Sequence, residues 1–388
     1  MDVTGIICEY NPLHLGHKKQ IDAIRAAHPD TGIVCLMSGN YVQRGAPAVA
    51  DKSLRAQAAI LCGADLVLEL PITASLSSAE GFAREGVRIL GGFCSRLCFG
   101  TETADRQALL SVAQTLLRED FPQALRRELD KGLSFPAARQ AAVQAMGVNA
   151  DALTLPNDIL ATEYCKAILQ QRLSMEIMPI RREGGYHDTA IDPENPSATS
   201  LRGAMLQRKP WRAYVPEAAR SCLEAGTLHS LSAGEQAILY RLRTMTDEAY
   251  MALPYGSEGL WRKLMHNART LDTLEEIIAA TKSKRYTRTR LDRMVLCAFL
   301  GITETDISTP APYARVLAFN DRGRSLLKAA RSTGCFPNAG EDTQHPYQAL
   351  ECRCGRLYSL FAVGGGETPC AEENRRVFYL SEKGACNA

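Results

Sequence analysis

EYNPLHLGHKKQI, residues 9–21, joins an apolar run to an amphipathic one. GIICEY, residues 5–10, is short and β-rich, and GHKKQIDAIRAAH, residues 16–28, puts Ile21 and Ile24 on one face of a helix. His14 and His17 therefore stand where a first strand gives way to a first helix, with Gly16 between them. In an open parallel sheet, ligands bind beyond the carboxyl ends of the strands. A helix N-terminus there offers backbone N–H groups and partial positive charge to a phosphate. Gly16 removes a side chain where a nucleotide would come close. Imidazoles spaced this way in one helical turn reach the same phosphate oxygens. The arrangement suits in-line attack at the α-phosphate of a nucleotide, where charge develops on the phosphoryl oxygens and positioned donors are worth most. A lone histidine would read as a satisfied core residue; His-x-Gly-His directly after a strand and opening a helix does not.

The flanking sequence extends the pattern. GIVCLMSG (32–39), DLVLELP (65–71) and RLCFGTE (96–102) read as further buried strands, the last ending in Gly100. DKSLRAQAAILCG (51–63), with Asp51 as N-cap, and SLSSAEGFAREGVRILGG (75–92) read as helices. Residues 103–150 look helical with a break near Phe121 and Pro122, and PNDILATEYCKAILQ (156–170) is another helix. EIMPIRREGGYHD (176–188) is a late strand running into a glycine-bearing loop, and Ser197 to Arg202 open a helix. Helix then follows helix from about 217 to 302, and YARVLAFNDRGRSLLKAAR (313–331) returns to a strand and a helix. Strands alternating with helices mean βαβ units and a parallel sheet. The expected fold is α/β: a Rossmann-like parallel-sheet domain over residues 1–210, a mainly helical region over 211–343, and an unassigned tail over 344–388.

Composition sets the outer bounds. A chain of 388 residues that is 46% hydrophobic has room for a large core and two or three domains. With 45 basic against 43 acidic side chains, its net charge of +2 gives no global signal for nucleic acid, so any basic surface must be local. The N-terminus lacks the basic region and cleavage site of a signal peptide, and the best apolar run, LVLELPITASL, is cut by Glu69 and Pro71. These features lead to the expectation of a soluble cytoplasmic protein with no membrane contact. Most of the 13 cysteines, such as Cys8, Cys35, Cys62 and Cys297, lie in apolar patterns, the habit of reduced buried thiols. The scattered Cys335, Cys352, Cys354, Cys370 and Cys386 lack zinc-knuckle spacing and read as free thiols, so no metal site is expected.

Three further stretches bear on function. SATSLR (197–202) can be a capped helix start or a phosphate-binding turn, with its hydroxyls and Arg202 over a nucleotide's outer phosphates. SGNYVQRGAPA (38–48) leaves the second strand at its carboxyl end, so Gln43 and Arg44 sit in a loop beside the site. TKSKRYTRTRLDR (281–293) carries Lys282, Lys284, Arg285, Arg288, Arg290 and Arg293 against Asp292, a local +5 with Tyr286 available to stack on a base. That composition suits RNA, although a solvated helix face would look similar.

EYNPLHLGH resembles the HxGH signature of the nucleotidyltransferase superfamily, which shares its fold with class I aminoacyl-tRNA synthetases, and SATSLR is similar to that superfamily's second phosphate-binding element. GIICEYNPLHLGH, MSGNYVQRGAPA, GADLVLELP, FGTE, PNDILATEY, GYHD, SATSLR and KRYTRTR stand in the order seen in the bacterial tRNA(Met) cytidine acetate ligase family. The resemblance runs from about Val3 to Lys328. It departs at Leu13 and Leu15, where the family often has Phe and Asn, and nothing in the tail from Gln344 onward is matched.

The resemblance implies a two-step reaction. Acetate would attack the α-phosphate of ATP to give acetyl-adenylate and pyrophosphate. The acetyl group would then pass to the wobble cytidine of elongator tRNA(Met), giving N4-acetylcytidine and AMP. Carried over by position, the ATP site would comprise Ile7, Cys8, Glu9, Tyr10, Asn11, Pro12, Leu13, His14, Leu15, Gly16, His17, Lys18, Lys19 and Gln20, then Gly100, Asn157 and Arg182. Ser197, Thr199 and Arg202 would hold the β- and γ-phosphates. His14 and His17 would be catalytic, and Lys282, Lys284, Arg285, Tyr286, Arg288 and Arg290 would meet tRNA. Asn157 offers a two-sided amide for ribose or base, although Asn is also a good N-cap; Arg182 offers a guanidinium for phosphate or adenine. Mg2+ is expected with the triphosphate on charge grounds, without a dedicated carboxylate cage, and no stable protein partner is implied. Two rival readings are a small-molecule adenylyltransferase of the same superfamily and a non-catalytic ATP- and RNA-binding protein.

Overall fold

The computed structural model describes residues 2–182, 196–283, 286–381 and 384–387, the last of these as backbone only. β1 (Val3–Cys8), α1 (Leu15–Ala27) and β2 (Gly32–Ser38) form the opening βαβ unit, followed by a small ribbon of β3 (Tyr41–Val42) and β4 (Ala46–Pro47). The chain continues through α2 (Lys52–Leu61), β5 (Leu66–Leu70), α3 (Ile72–Ser75), α4 (Ala79–Gly91) and β6 (Arg96–Thr101). Next come α5 (Arg106–Leu116), α6 (Phe121–Asp130), α7 (Phe135–Ala145), α8 (Pro156–Gln170), β7 (Glu176–Arg181) and α9 (Ala198–Leu206). β1, β2 and β5 are buried along their whole length, as their unbroken apolar sequences require of strands covered on both faces. Asp51 caps α2 as its side chain suggests, accepting from the Ser53 N–H at 2.8 Å.

The second half is mainly helical: α10 (Glu217–Glu224), α11 (Glu235–Thr244), α12 (Asp247–Met251), α13 (Leu260–Thr270), α14 (Leu274–Thr281), α15 (Arg288–Leu300) and α16 (Glu304–Ser308). β8 (Val316–Asn320), α17 (Asp321–Ala330), α18 (Tyr347–Tyr358), β9 (Phe378–Ser381) and β10 (Gly384–Asn387) complete the described chain. The main sheet has the order β10-β9-β8-β5-β2-β1-β6-β7. β5, β2, β1, β6 and β7 are mutually parallel; β8 joins β5 antiparallel, β9 joins β8 parallel, and β10 closes the edge antiparallel.

The helical break and the extent of the sheet take definite positions here. The break in the 103–150 stretch falls before Phe121, because Phe121 and Pro122 open α6, where proline's missing N–H is not needed. The sheet also reaches beyond residues 1–210, since β8 comes from the helical region and β9 and β10 from the unassigned tail. Short strands added at a sheet edge carry too little periodicity to be read locally. One apolar core surrounds the sheet and includes Val316, Leu326 and Phe378. A second fills the helical part from Ile238 to Ile302 and takes in Leu350, Tyr358 and Phe361. Buried ion pairs fasten the tail to the sheet: Lys52 to Glu69 and Glu372 at 2.5 and 2.6 Å, and Arg375 to Asp51 at 2.8 Å. Every cysteine whose side chain is described is a free thiol. Among the described residues no helix is long and apolar enough to cross a membrane.

Candidate active site

β1 sits in the middle of the sheet, with β2 on one side and β6 on the other, so the chain reverses direction across the sheet at β1. A cleft opens at that switch point, beyond the carboxyl ends of β1 and β6, where an open α/β sheet binds its ligand. His14 is the N-cap of α1: its Nδ1 accepts from the Gly16 N–H at 3.0 Å, and the Nδ1 of His17 accepts from the His14 N–H at 3.3 Å. The two rings lie 3.9 Å apart between centroids, and Tyr10 packs on His17 at 5.0 Å.

This reciprocal cap decides the chemistry of both imidazoles. Each Nδ1 is committed as an acceptor, so in the neutral ring the proton resides on Nε2, an assignment made from the hydrogen bonds. Burial, then Arg182 and Arg202, lowers the His14 pKa to about 3. Burial, then His14 and Arg182, holds His17 well below the ordinary value. Both are neutral N–H donors at pH 7, and the buried His14 Nε2 has no hydrogen-bond partner among the described residues. An oxyanion in the cleft would supply one. The cap also revises the expected source of donors. The Gly16 and His14 N–H groups are taken by imidazole nitrogens, so a phosphate at this end of α1 meets side-chain Nε2–H donors instead of those backbone groups. Gly16 is needed for the same reason: a Cβ there would sit 2.9 Å from His14 Cε1.

The opposite wall is α9. Ser197 caps it, accepting from the Ser200 N–H at 3.0 Å, so it is both helix cap and cleft residue. Arg202 donates to the Asn11 carbonyl at 2.7 Å and to Thr199 Oγ1 at 3.1 Å, which fixes α9 against the loop carrying His14. Asn157 is not an N-cap; it lies inside the first turn of α8, which Leu155 precedes as cap. The Glu102 carboxylate serves that turn, accepting from Asn157 Nδ2 at 2.7 Å and from the Asp158 N–H at 2.9 Å. The amide is thereby oriented with Oδ1 left as an acceptor. Gly100 lies within β6, and a Cβ there would sit 3.0 Å from the stem of Arg182, so the bare backbone makes room for that side chain.

Of the residues expected at the nucleotide, Ile7, Cys8, Glu9, Tyr10, Asn11, His14, His17, Gln20, Gly100, Asn157, Arg182, Ser197, Thr199 and Arg202 line the cleft. Pro12, Leu13, Leu15, Gly16, Lys18 and Lys19 do not: Leu13 is fully buried in the core, and Lys18 pairs with Asp22 along α1. Gln43 and Arg44 do line it, as their loop suggested. Phe82, Phe99, Leu160 and Tyr164 form an apolar wall, with Phe99 and Tyr164 rings 5.5 Å apart. They sit at core-facing positions of helix and strand, where no local signal separates a wall from a core.

The basic segment is partly spent inside the protein. Arg288 pairs with Glu275 at 2.7 Å and Asp292 at 2.8 Å. Arg290 donates to the Tyr255 carbonyl at 2.7 Å and lies over the Tyr286 ring, whose hydroxyl donates to Glu258 at 2.6 Å. Arg293 is buried. Lys282 is exposed at the end of α14, and Lys284 and Arg285 lie outside the described residues, as does the GYHD motif.

The chain is similar to known proteins over most of its length. A family model described as HIGH Nucleotidyl Transferase matches residues 1–367. A tRNA(Met) cytidine acetate ligase from Clostridium acetobutylicum is 33% identical over 98% of this chain and 100% of its own length. Its counterpart from Clostridium novyi is 35% identical over 87% of this chain and 89% of its own. The crystal structure of apo Thermotoga maritima TmcAL superposes with a TM-score of 0.87 at 28% identity, covering 96% of this chain and 98% of that one. The same protein bound with alpha-thio ATP gives 0.86 at 28% identity, covering 98% and 100%.

Proposed function

This chain belongs to the HIGH nucleotidyl transferase family and, within it, to the tRNA(Met) cytidine acetate ligases, and from that premise we propose that its cleft runs both halves of an ATP-dependent acetylation of tRNA. It is an AMP-forming ligase that acts in the cytoplasm. Acetate attacks the α-phosphate of ATP, pyrophosphate leaves, and acetyl-adenylate delivers its acetyl group to N4 of the wobble cytidine of elongator tRNA(Met). The observation that carries this reading is the pair of imidazoles at the carboxyl end of the central strand, each with its Nδ1 taken by a backbone N–H.

Their N–H groups stabilise charge on the α-phosphoryl oxygens as the bond to acetate forms. Arg182, Arg202 and the capped start of α9 hold the nucleotide and the departing pyrophosphate. The Phe99 and Tyr164 rings and the Asn157 amide take the adenosine. Mg2+ would accompany the triphosphate and neutralise part of its charge. Lys282, Lys284 and Arg285 belong to the tRNA-facing segment, and Tyr286, Arg288 and Arg290, which Glu258, Glu275 and the Tyr255 carbonyl engage, shape it. The local surplus of basic residues in a near-neutral chain supports that assignment.

The test is transfer of label from [14C]acetate to tRNA lacking the modification, with ATP, beside a His17→Ala protein. Label from the parent alone is the expected result. Acetate-dependent pyrophosphate release without label on tRNA would keep adenylate chemistry and break the acceptor assignment. Neither signal from folded, ATP-bound protein would leave a binding module.

A further inference from the structure

Acetyl transfer to an exocyclic amine needs a proton acceptor, and neither imidazole is free to be one. Each Nδ1 lone pair is taken by a backbone N–H. We infer that Glu9 is the general base of the second half-reaction, a role that rests on the reading above. Glu9 follows the last residue of β1 and lines the same cleft as His14 and His17. Its placement is held twice. The Gln43 N–H donates to Oε1 at 2.8 Å, and Arg55 donates to its main-chain carbonyl at 2.6 Å. No described residue donates to Oε2, which leaves one carboxylate oxygen for a substrate.

Among the described cleft residues Glu9 is the single carboxylate. Arg44, Arg182 and Arg202 are cations with no lone pair to offer, and Asn11, Gln20, Gln43 and Asn157 carry non-basic amides. Burial raises the Cys8 thiol and the Tyr10 and Tyr164 hydroxyls, which keeps their protons in place.

Glu9 also stands on the side from which RNA would come. The loop that donates to its carboxylate packs against the first turns of α15. Gly45, at φ +79°, lies so close that a Cβ would be 2.4 Å from the Arg293 nitrogen, and Arg293 Nη1 donates to the Gln43 carbonyl at 3.4 Å. A nucleotide splayed from an RNA held along α15 would thus cross Gln43 and Arg44 to reach Glu9. The step balances. N4 bonds to the acetyl carbon, the carbon–oxygen bond to phosphate breaks, AMP leaves with that electron pair, and the N4 proton passes to Glu9 Oε2 and then to water.

The two half-reactions can be read separately, so the test is a ratio. Acetate-dependent ATP–pyrophosphate exchange reports adenylate formation, and single-turnover transfer to unmodified tRNA reports the second step. Glu9→Gln keeps an oxygen for the Gln43 N–H and removes the base. The transfer-to-exchange ratio should fall about 10²- to 10⁴-fold, the usual worth of general base catalysis, with Glu9→Asp in between. An equal fall in both steps would make Glu9 a nucleotide-positioning residue. An unchanged ratio would send the proton to the phosphate of the departing AMP. Either result overturns the inference. If E9Q does not fold, Glu9→Asp decides on the same ratio, a value equal to the parent's overturning it. Failure of the underlying function is distinct, because the parent protein itself would then show no acetate-dependent exchange.

Discussion

Gly16→Ala separates seating of the His14 ring from stability of the fold. A Cβ at this position would lie 2.9 Å from His14 Cε1 and 3.1 Å from Nδ1. The ring has little room to yield, because His14 is only 2% exposed and its other face meets His17 at 3.9 Å. It must move by several tenths of an ångström, which breaks the 3.0 Å bond from the Gly16 N–H to Nδ1. Losing that cap costs about 0.5–2 kcal/mol. Alanine returns about 1 kcal/mol, because it is the better helix former at a site within α1. Net stability should therefore change by no more than about 1 kcal/mol. Adenylation has no such compensation: an oxyanion donor moved off its position costs about 10²- to 10³-fold. Acetate-dependent ATP–pyrophosphate exchange and a urea unfolding curve measure the two quantities on one preparation. Exchange within about threefold of the parent would refute the claim that Gly16 exists to seat His14. A stability loss above about 3 kcal/mol would show that the residue serves the fold.

Three other outcomes follow from the same contacts. His14 titrates from about 6.5 when unfolded to about 3 when folded, so the unfolded chain binds the extra proton and stability is lost as pH falls from 6.5 towards 3. His14→Gln, which keeps an acceptor for the Gly16 N–H, should flatten that loss in urea midpoints between pH 7.5 and 5. Glu351, raised by burial to about 7, works in the opposite direction and is common to both proteins, so an identical pH slope in parent and variant would count against a buried neutral His14. Arg55 is fully buried and donates to the carbonyls of Glu9, Ser38, Gly39 and Ala50. Arg55→Met strands these acceptors and should cost on the order of 3–5 kcal/mol by urea unfolding, whereas a cost under about 1 kcal/mol would mean they find other donors. For tRNA affinity, Lys282→Ala should lower the slope of log K against log salt by about 0.7–0.9 per lost phosphate contact. Arg288→Ala should change it less, because that guanidinium is already paired with Glu275 and Asp292; equal effects would place both on RNA.

What could be read in advance follows a physical line. β1, β2, β5 and β6 were legible because strands covered on both faces must be apolar along their length, and the His-x-Gly-His seam was legible because a loop between such a strand and a helix needs a reason to hold imidazoles. Asp51 and Ser197 announced helix starts, and both are caps. The tail was not legible, since β9 and β10 are short and gain their meaning from an edge supplied by β8. Phe82, Phe99, Leu160 and Tyr164 could not be told from core, because a cleft wall and a core position have the same periodicity along one chain.

The sharper failure concerns charge. TKSKRYTRTRLDR displays its basic residues openly, but nothing local says which are spent. Arg288 finds Glu275 on the preceding helix, Arg290 finds a carbonyl at Tyr255, and Arg293 is drawn under the Gln43 loop. A sequence prints charges as though all were available, while a fold commits some of them to contacts far along the chain. The four residues from His14 to His17 escape this ambiguity because the partners that fix the tautomer are local: the acceptor at residue 14 serves the N–H at residue 16, and the acceptor at residue 17 serves the N–H at residue 14. The tautomer that points Nε2–H outward is thus written within a single helical turn, while burial and the distant Arg182 and Arg202 keep the rings neutral. The charge balance of residues 281–293 is instead settled across helices, by partners at Glu275, Tyr255 and Gln43.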